Sequence, residues 1–155
     1  MQSKTRNVSN DSDNLVDVAR RGIRRGPSPS TIKRRACIVL EFLKCHRCEL
    51  SIVLCNDNFI QQLNNEYRHK DTATDVLSFP LHEGTLNAPT DIMLGDIVIS
   101  IETAERQAAE LGGDALDETT SLLVHGILHL LGYTHNDTIN EKKMNALALR
   151  VLQLF

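Results

Sequence analysis

The sequence predicts an α+β fold, a small mixed sheet packed with helices around a buried central histidine-bearing helix. Strand-like apolar segments alternate with segments of helical periodicity, which suits a layered arrangement. One segment, "SLLVHGILHLL", is apolar on nearly every side, and such a helix belongs inside a core. The chain has 155 residues, 41% hydrophobic and 24% charged, enough to bury that core as a single domain over residues 1–155.

The elements follow in order. Residues 1 to about 13 are polar and are expected to be disordered. "NLVDV" predicts an edge strand. "GPSPS" marks a turn or linker, and Ser30 is expected to cap a helix from Thr31 to about Lys44. In "ELSIVLCN", Leu50, Ile52 and Leu54 alternate with the period of a strand. Asp57 is expected to cap a helix carrying Phe59, Ile60, Leu63 and Tyr67. "TDVLSFPL" reads as a strand ended or edged by Pro80, because proline cannot donate to a ladder. Beyond the loop "HEGTLNAP", "LGDIVISI" reads as a buried strand. The next helix places Ile101, Ala104, Ala108 and Leu111 on one face, and Gly112 and Gly113 stop it. The histidine helix repeats Leu116, Thr120, Leu123, Ile127 and Leu130, and a last helix from about Thr138 carries Met144, Leu147, Val151 and Leu154. No internal repeat and no glycine-rich phosphate loop is present.

Net charge is only −3, but residues 1–47 hold eleven Lys or Arg against four Asp or Glu. "RRGIRRGPSPSTIKRR" alone packs seven basic residues into sixteen. This run is either a solvated mobile arm or a grip on a phosphate backbone. Four cysteines, Cys37, Cys45, Cys48 and Cys55, lie close together. "CHRC" has no second pair to complete a structural zinc site, so reduced core thiols are expected. No apolar run reaches the length of a membrane span, and the polar start lacks the apolar core of a secretory signal. A cytoplasmic location is expected.

The chemistry concentrates in "HGILHLLGYTH". His125 and His129 are four apart and project from one helix face a turn apart. Gly132 stands where a helix commonly ends in a left-handed residue, which lets the chain turn and bring His135 back. Burying several imidazoles without partners is costly, and three converging on one point make a catalytic-type zinc site with a fourth position open. One Zn2+ ion, or another divalent metal, is the expected cofactor. The same spacing occurs in long zinc-peptidase motifs, where glutamate follows the first histidine as general base. Here that position is Gly126, which removes the peptidase route. Gly126 itself serves either close approach of a substrate or helix packing. Three neutral ligands leave the ion its full charge, which suits an anionic substrate such as a phosphodiester.

Three blocks in this order, "NNEYRHKDTATDVLSFP", "LGDIVIS" and "HGILHLLGYTH", closely resemble the YbeY family of single-strand-specific endoribonucleases. The resemblance covers roughly residues 64 to 135. It implies an α+β fold, a metal site on His125, His129 and His135, and a functional arginine at Arg68. It further implies a role in maturation of the 3′ end of 16S rRNA and in ribosome quality control. By the same resemblance the partners are single-stranded RNA or rRNA, the small ribosomal subunit and assembly factors, without DNA or membrane. The family's last block usually ends "GYDH", whereas this chain has Thr134, which removes one anchor for an imidazole. A guanidinium at Arg68 suits bidentate contact with phosphate, although a helix-end arginine also satisfies the helix dipole. Asp75, Ser78 and Asp96 either orient ligands or make ordinary cap and turn contacts. The competing reading of the whole chain is a non-catalytic RNA-binding assembly factor with a structural metal. An open coordination position favours the enzyme.

Overall fold

A computed structural model of the protein describes residues 12–155. The elements run β1 (Leu15–Arg21), α1 (Pro29–Phe42), β2 (Glu49–Cys55), α2 (Asp57–Arg68), β3 (Val76–Pro80), β4 (Met93–Ser100), α3 (Ile101–Leu111), α4 (Ala115–Leu130) and α5 (Thr138–Leu152). Of the stretch expected to be disordered, residues 1–11 lie outside the described residues. Ser12 and Asp13 are placed, and Asp13 Oδ1 accepts from the Arg47 backbone N–H.

The sheet has the order β1-β2-β4-β3. The first three are parallel and β3 runs antiparallel to β4, which makes the sheet mixed. β1 and β3 are its edges, so "NLVDV" and Pro80 both fall where the sequence puts them. Leu50, Ile52 and Leu54 of β2 belong to the large core, together with Ile97 and Ile99 of β4 and the inner faces of α1, α4 and α5. A smaller cluster of Cys55, Leu77 and Val98 is closed by Ile60 of α2.

Two helix starts differ from the expectation. Ser28, not Ser30, caps α1, its side chain accepting from the Thr31 N–H. Pro29 then takes the first helical position, where its fixed φ fits and its missing N–H costs nothing. Asn56, not Asp57, caps α2. Asp57 instead accepts from Ser100 Oγ at 2.7 Å and Thr103 Oγ1 at 2.6 Å, and pairs with Arg106 at 2.8 Å. Burial would raise its pKa, but those hydroxyls and the guanidinium together hold its carboxyl below the usual range. Leu111 is 77% exposed rather than on the buried face of α3, because it is the last helical residue before the Gly112 cap. Leu154, also exposed, lies beyond the end of α5.

α4 is the centre of the molecule, in contact with α1, α3, α5, β3 and β4. Gly126 is explained by that packing. A Cβ there would stand 2.9 Å from Ile97 Cγ2, so the glycine lets the helix lie close on β4. Cys45, Cys48 and Cys55 are buried and Cys37 is partly buried, all as free thiols. Burial pushes the thiols of Cys45 and Cys55 up to about 12, which keeps them protonated and unreactive. Among the described residues, no helix is long and apolar enough to cross a membrane.

Candidate metal centre and cleft

His125 and His129 stand on the one half-buried stripe of an otherwise buried helix. His125 Nδ1 lies 2.8 Å from the Ser121 carbonyl and His129 Nδ1 lies 3.0 Å from the Tyr133 carbonyl. A carbonyl only accepts, so both Nδ1 atoms carry the proton and both Nε2 atoms are left as lone-pair donors. This is the arrangement that prepares an imidazole to ligate a metal. The chain turns at Gly132 in the left-handed region, with φ 95°, and the position is held to glycine because a Cβ there would also strike the Gly84 carbonyl. The turn brings the His135 ring to 5.1 Å from that of His129, edge to face.

The three histidines share one neighbourhood without forming a finished ligand set. Among the described residues, no three His, Cys, Asp or Glu side chains are arranged to hold a metal ion. The physical difference lies at His135. It is exposed, and neither of its nitrogens has a hydrogen-bond partner among the described residues, whereas His125 and His129 are both oriented. Thr134 offers no carboxylate to hold it. The donor chemistry still fits a borderline metal such as zinc, since two imidazoles are fixed in the ligating tautomer. The His129 pKa lies below the ordinary value. Burial is the main cause, and the neighbouring His135, His125 and Arg68 add to it against the Tyr133 hydrogen bond. His129 is therefore neutral and free to bind a cation.

Beside His129 opens a cleft of about 580 Å³, with Asn64, Arg68, Lys70, Ser78, Tyr133 and Thr134 among its walls. Arg68 is the last residue of α2, and its Nη2 donates to the Ser78 carbonyl at 3.1 Å. A guanidinium has five N–H donors, so most of them remain for a ligand. Lys70, Thr72, Ala73 and Thr74 also line the cleft, in a segment that α2 holds in place. Asn64, buried, donates through Nδ2 to the Thr72 carbonyl at 2.9 Å, and Gln61 donates to Asp71 Oδ1 at 3.1 Å.

Two of the remaining polar candidates, Asp75 and Ser78, have structural work. Asp75 accepts from the Val76 N–H and from Gln107 Nε2. Ser78 Oγ donates to the Gly126 carbonyl in a long 3.5 Å contact. Asp96 is exposed away from the cleft, beside Val53, Phe79 and Val98. The arginine-rich run is no free arm, because Arg20 donates to the Arg24 and Pro27 carbonyls and holds the β1–α1 loop down.

Sequence reasoning did not single out Glu118, a partly buried carboxyl on the same helix as His125 and His129. Its carboxyl pKa is raised by burial and by Asp75, and His125 opposes the shift. The signal was available, since Glu118 lies seven residues before His125, two turns along the same helix face. The cleft wall at Lys70 and Thr72 carried no such signal.

Fold and site together define an α+β protein whose central helix carries two prepared imidazoles and presents one of them, His129, to a basic cleft. Residues 26–155 match the family described as endoribonuclease YbeY. The chain is 43% identical over 129 residues to the endoribonuclease YbeY of Aquifex aeolicus, covering 83% of this chain and 81% of that protein. It is 48% identical over 114 residues to that of Heliobacterium modesticaldum, with 68% of each covered. It is 58% identical over 87 residues to the chloroplastic endoribonuclease YBEY of Arabidopsis thaliana, where the match spans 56% of this chain and only 15% of that longer protein. The solution structure of TM1509 from Thermotoga maritima superposes with a TM-score of 0.63 at 26% identity, covering 90% of this chain and 87% of that one. The chain belongs to the YbeY endoribonuclease family.

Proposed function

We propose that this protein is a zinc-dependent endoribonuclease that cuts single-stranded RNA during rRNA maturation, at the 3′ end of 16S rRNA, and in ribosome quality control in the cytoplasm. The observation that carries this reading is the pair of imidazoles with Nδ1 tied to carbonyls, one of which, His129, lines a cleft that Arg68 also lines. His125, His129 and His135 would hold the metal, which when bound supplies a Lewis acid and lowers the pKa of a water. Arg68 binds a phosphoryl oxygen and stabilises the charge that develops on it. Lys70, on the same cleft, adds a second positive charge for the strand. A single strand bends its backbone into such a recess, whereas a duplex is stiff and fixes its phosphates on the outside. With four Phe, two Tyr and no Trp, little stacking surface exists, so sequence preference is weak. Partners within the small ribosomal subunit follow from the same reading.

The test is cleavage of one labelled RNA, alone and annealed to its complement, by chelator-treated protein with and without added zinc. His129→Ala is run beside it to expose any contaminating ribonuclease. Cleavage of the single strand that needs both zinc and His129 supports the reading. Cleavage that survives His129→Ala, or equal rates on both RNA forms, overturns it.

A further inference from the structure

The glycine turn at the end of α4 creates a second hollow. Leu86 N–H donates to the Leu131 carbonyl at 2.9 Å, which seats the loop after β3 directly on Gly132. Beyond Tyr133 and Thr134 this leaves a recess of about 360 Å³, lined by Thr85, Gly132, Tyr133, Thr134, Asn140 and Lys143. Tyr133 and Thr134 also wall the cleft of Arg68 and His129, so the two hollows adjoin across these two residues.

The chemistry of this recess is that of an anion site. None of its lining residues is acidic. Lys143 is exposed and makes no ion pair among the described residues. The nearby Asp137 carboxylate is occupied by the first turn of α5, accepting from the Asn140 backbone N–H at 2.8 Å and from Asn140 Nδ2 at 2.7 Å. That bond orients the Asn140 amide and leaves its carbonyl oxygen open. An ammonium, two threonine hydroxyls and an amide suit one phosphate and the sugar attached to it.

We propose that this recess is a second nucleotide subsite, in which Lys143 binds a phosphate flanking the one held at Arg68 and His129. The strand crosses Tyr133 and Thr134 between the two hollows. This deepens the endoribonuclease reading and rests on it.

The experiment compares wild type with Lys143→Ala, Lys143→Glu and Lys143→Arg on single-stranded RNAs of increasing length, from a dinucleotide upward. For strands long enough to reach the recess, KM rises about tenfold in Lys143→Ala and further in Lys143→Glu, and Lys143→Arg restores it. Both kcat and the dinucleotide reaction stay as in wild type. An equal KM at every length, or the same rise on the dinucleotide, overturns the subsite. If wild type cleaves no RNA, the nuclease reading itself fails. The subsite is then decided by fluorescence anisotropy of the same strands, where unchanged affinity in Lys143→Ala overturns it and a length-dependent loss supports it.

Discussion

Positive charge lies at both edges of the sheet, and the two clusters differ in what their side chains are doing. At the β1 edge the run is dense, yet Arg20 is fastened to loop carbonyls, Arg21 donates to the Arg20 carbonyl, and Arg25 pairs with Glu105 at 3.1 Å. Further along the same run, Arg35 donates to Thr120 Oγ1 at 2.7 Å and lies over the Phe155 ring. At the β3 edge, among the described residues, Arg68 and Lys70 border the recess that His129 also lines. Charge density and available charge are different quantities. The sparse cluster borders the cleft of His129, and the dense one mostly holds the fold.

Acid separates the two most sharply. His129 titrates below the ordinary histidine value, so its share of folding stability is fully present above about 6.5. That share is lost as pH falls through the lower, folded pKa. Protons also compete with metal for the imidazoles. Metal content and RNA cleavage should fall together below about pH 6.5, by about tenfold per pH unit for each ligand that must lose a proton. Arginines stay charged throughout, so RNA binding at the β1 edge should persist. Metal release measured against pH by a chelating dye checks this. Occupancy that does not fall with acid at all would remove the histidines as ligands.

Arg68→Ala is the next largest effect. Losing a charged phosphate contact costs about 1.5–3 kcal/mol, on the order of ten- to 150-fold in kcat/KM. Metal content and melting temperature should stay unchanged, because the side chain is exposed and its one bond among the described residues, to the Ser78 carbonyl, lies at the cleft. Wild-type cleavage by the variant would return Arg68 to the role of a helix-end cation.

How much of this was legible beforehand depends on the range of the interaction. Apolar periodicity is local, so α4, the buried β4 and both edge strands could be read directly. Helix starts slipped by one or two residues where two capping residues compete, as at Ser28 against Ser30 and Asn56 against Asp57. The commitments of the arginines were not readable, since Arg25 finds Glu105 eighty residues away. The looseness of His135 was readable in part. Thr134 announced a missing carboxylate, and no described residue orients the His135 imidazole. Thr134→Asp should therefore tighten zinc binding by roughly tenfold, the lower end of what an outer hydrogen bond contributes. Competition titration against a chromogenic chelator measures it, and unchanged affinity would show that His135 needs no such anchor.

The smallest effect tests the dense cluster itself. Arg24 is the loop arginine whose side chain has no partner among the described residues, and it borders a hollow with Gly22, Ile23, Arg25, Asn56 and Glu102. Glu102 in that hollow opposes an anion, so any contact with RNA is through solvent-exposed guanidinium rather than a built site. Each phosphate contact to a single strand contributes about 0.7 to the slope of log affinity against log salt. Arg24→Ser should lower that slope by no more than about 0.7, and Arg25→Ser by less, because breaking the pair also frees Glu105. Arg20→Ser should instead lower the melting temperature, since its two carbonyl bonds fasten the loop. Anisotropy of one labelled strand over a salt series reads all three variants beside Arg68→Ala. If Arg24→Ser flattens the slope more than Arg68→Ala does, the β1 edge is the principal RNA grip, and the contrast between held and available charge fails.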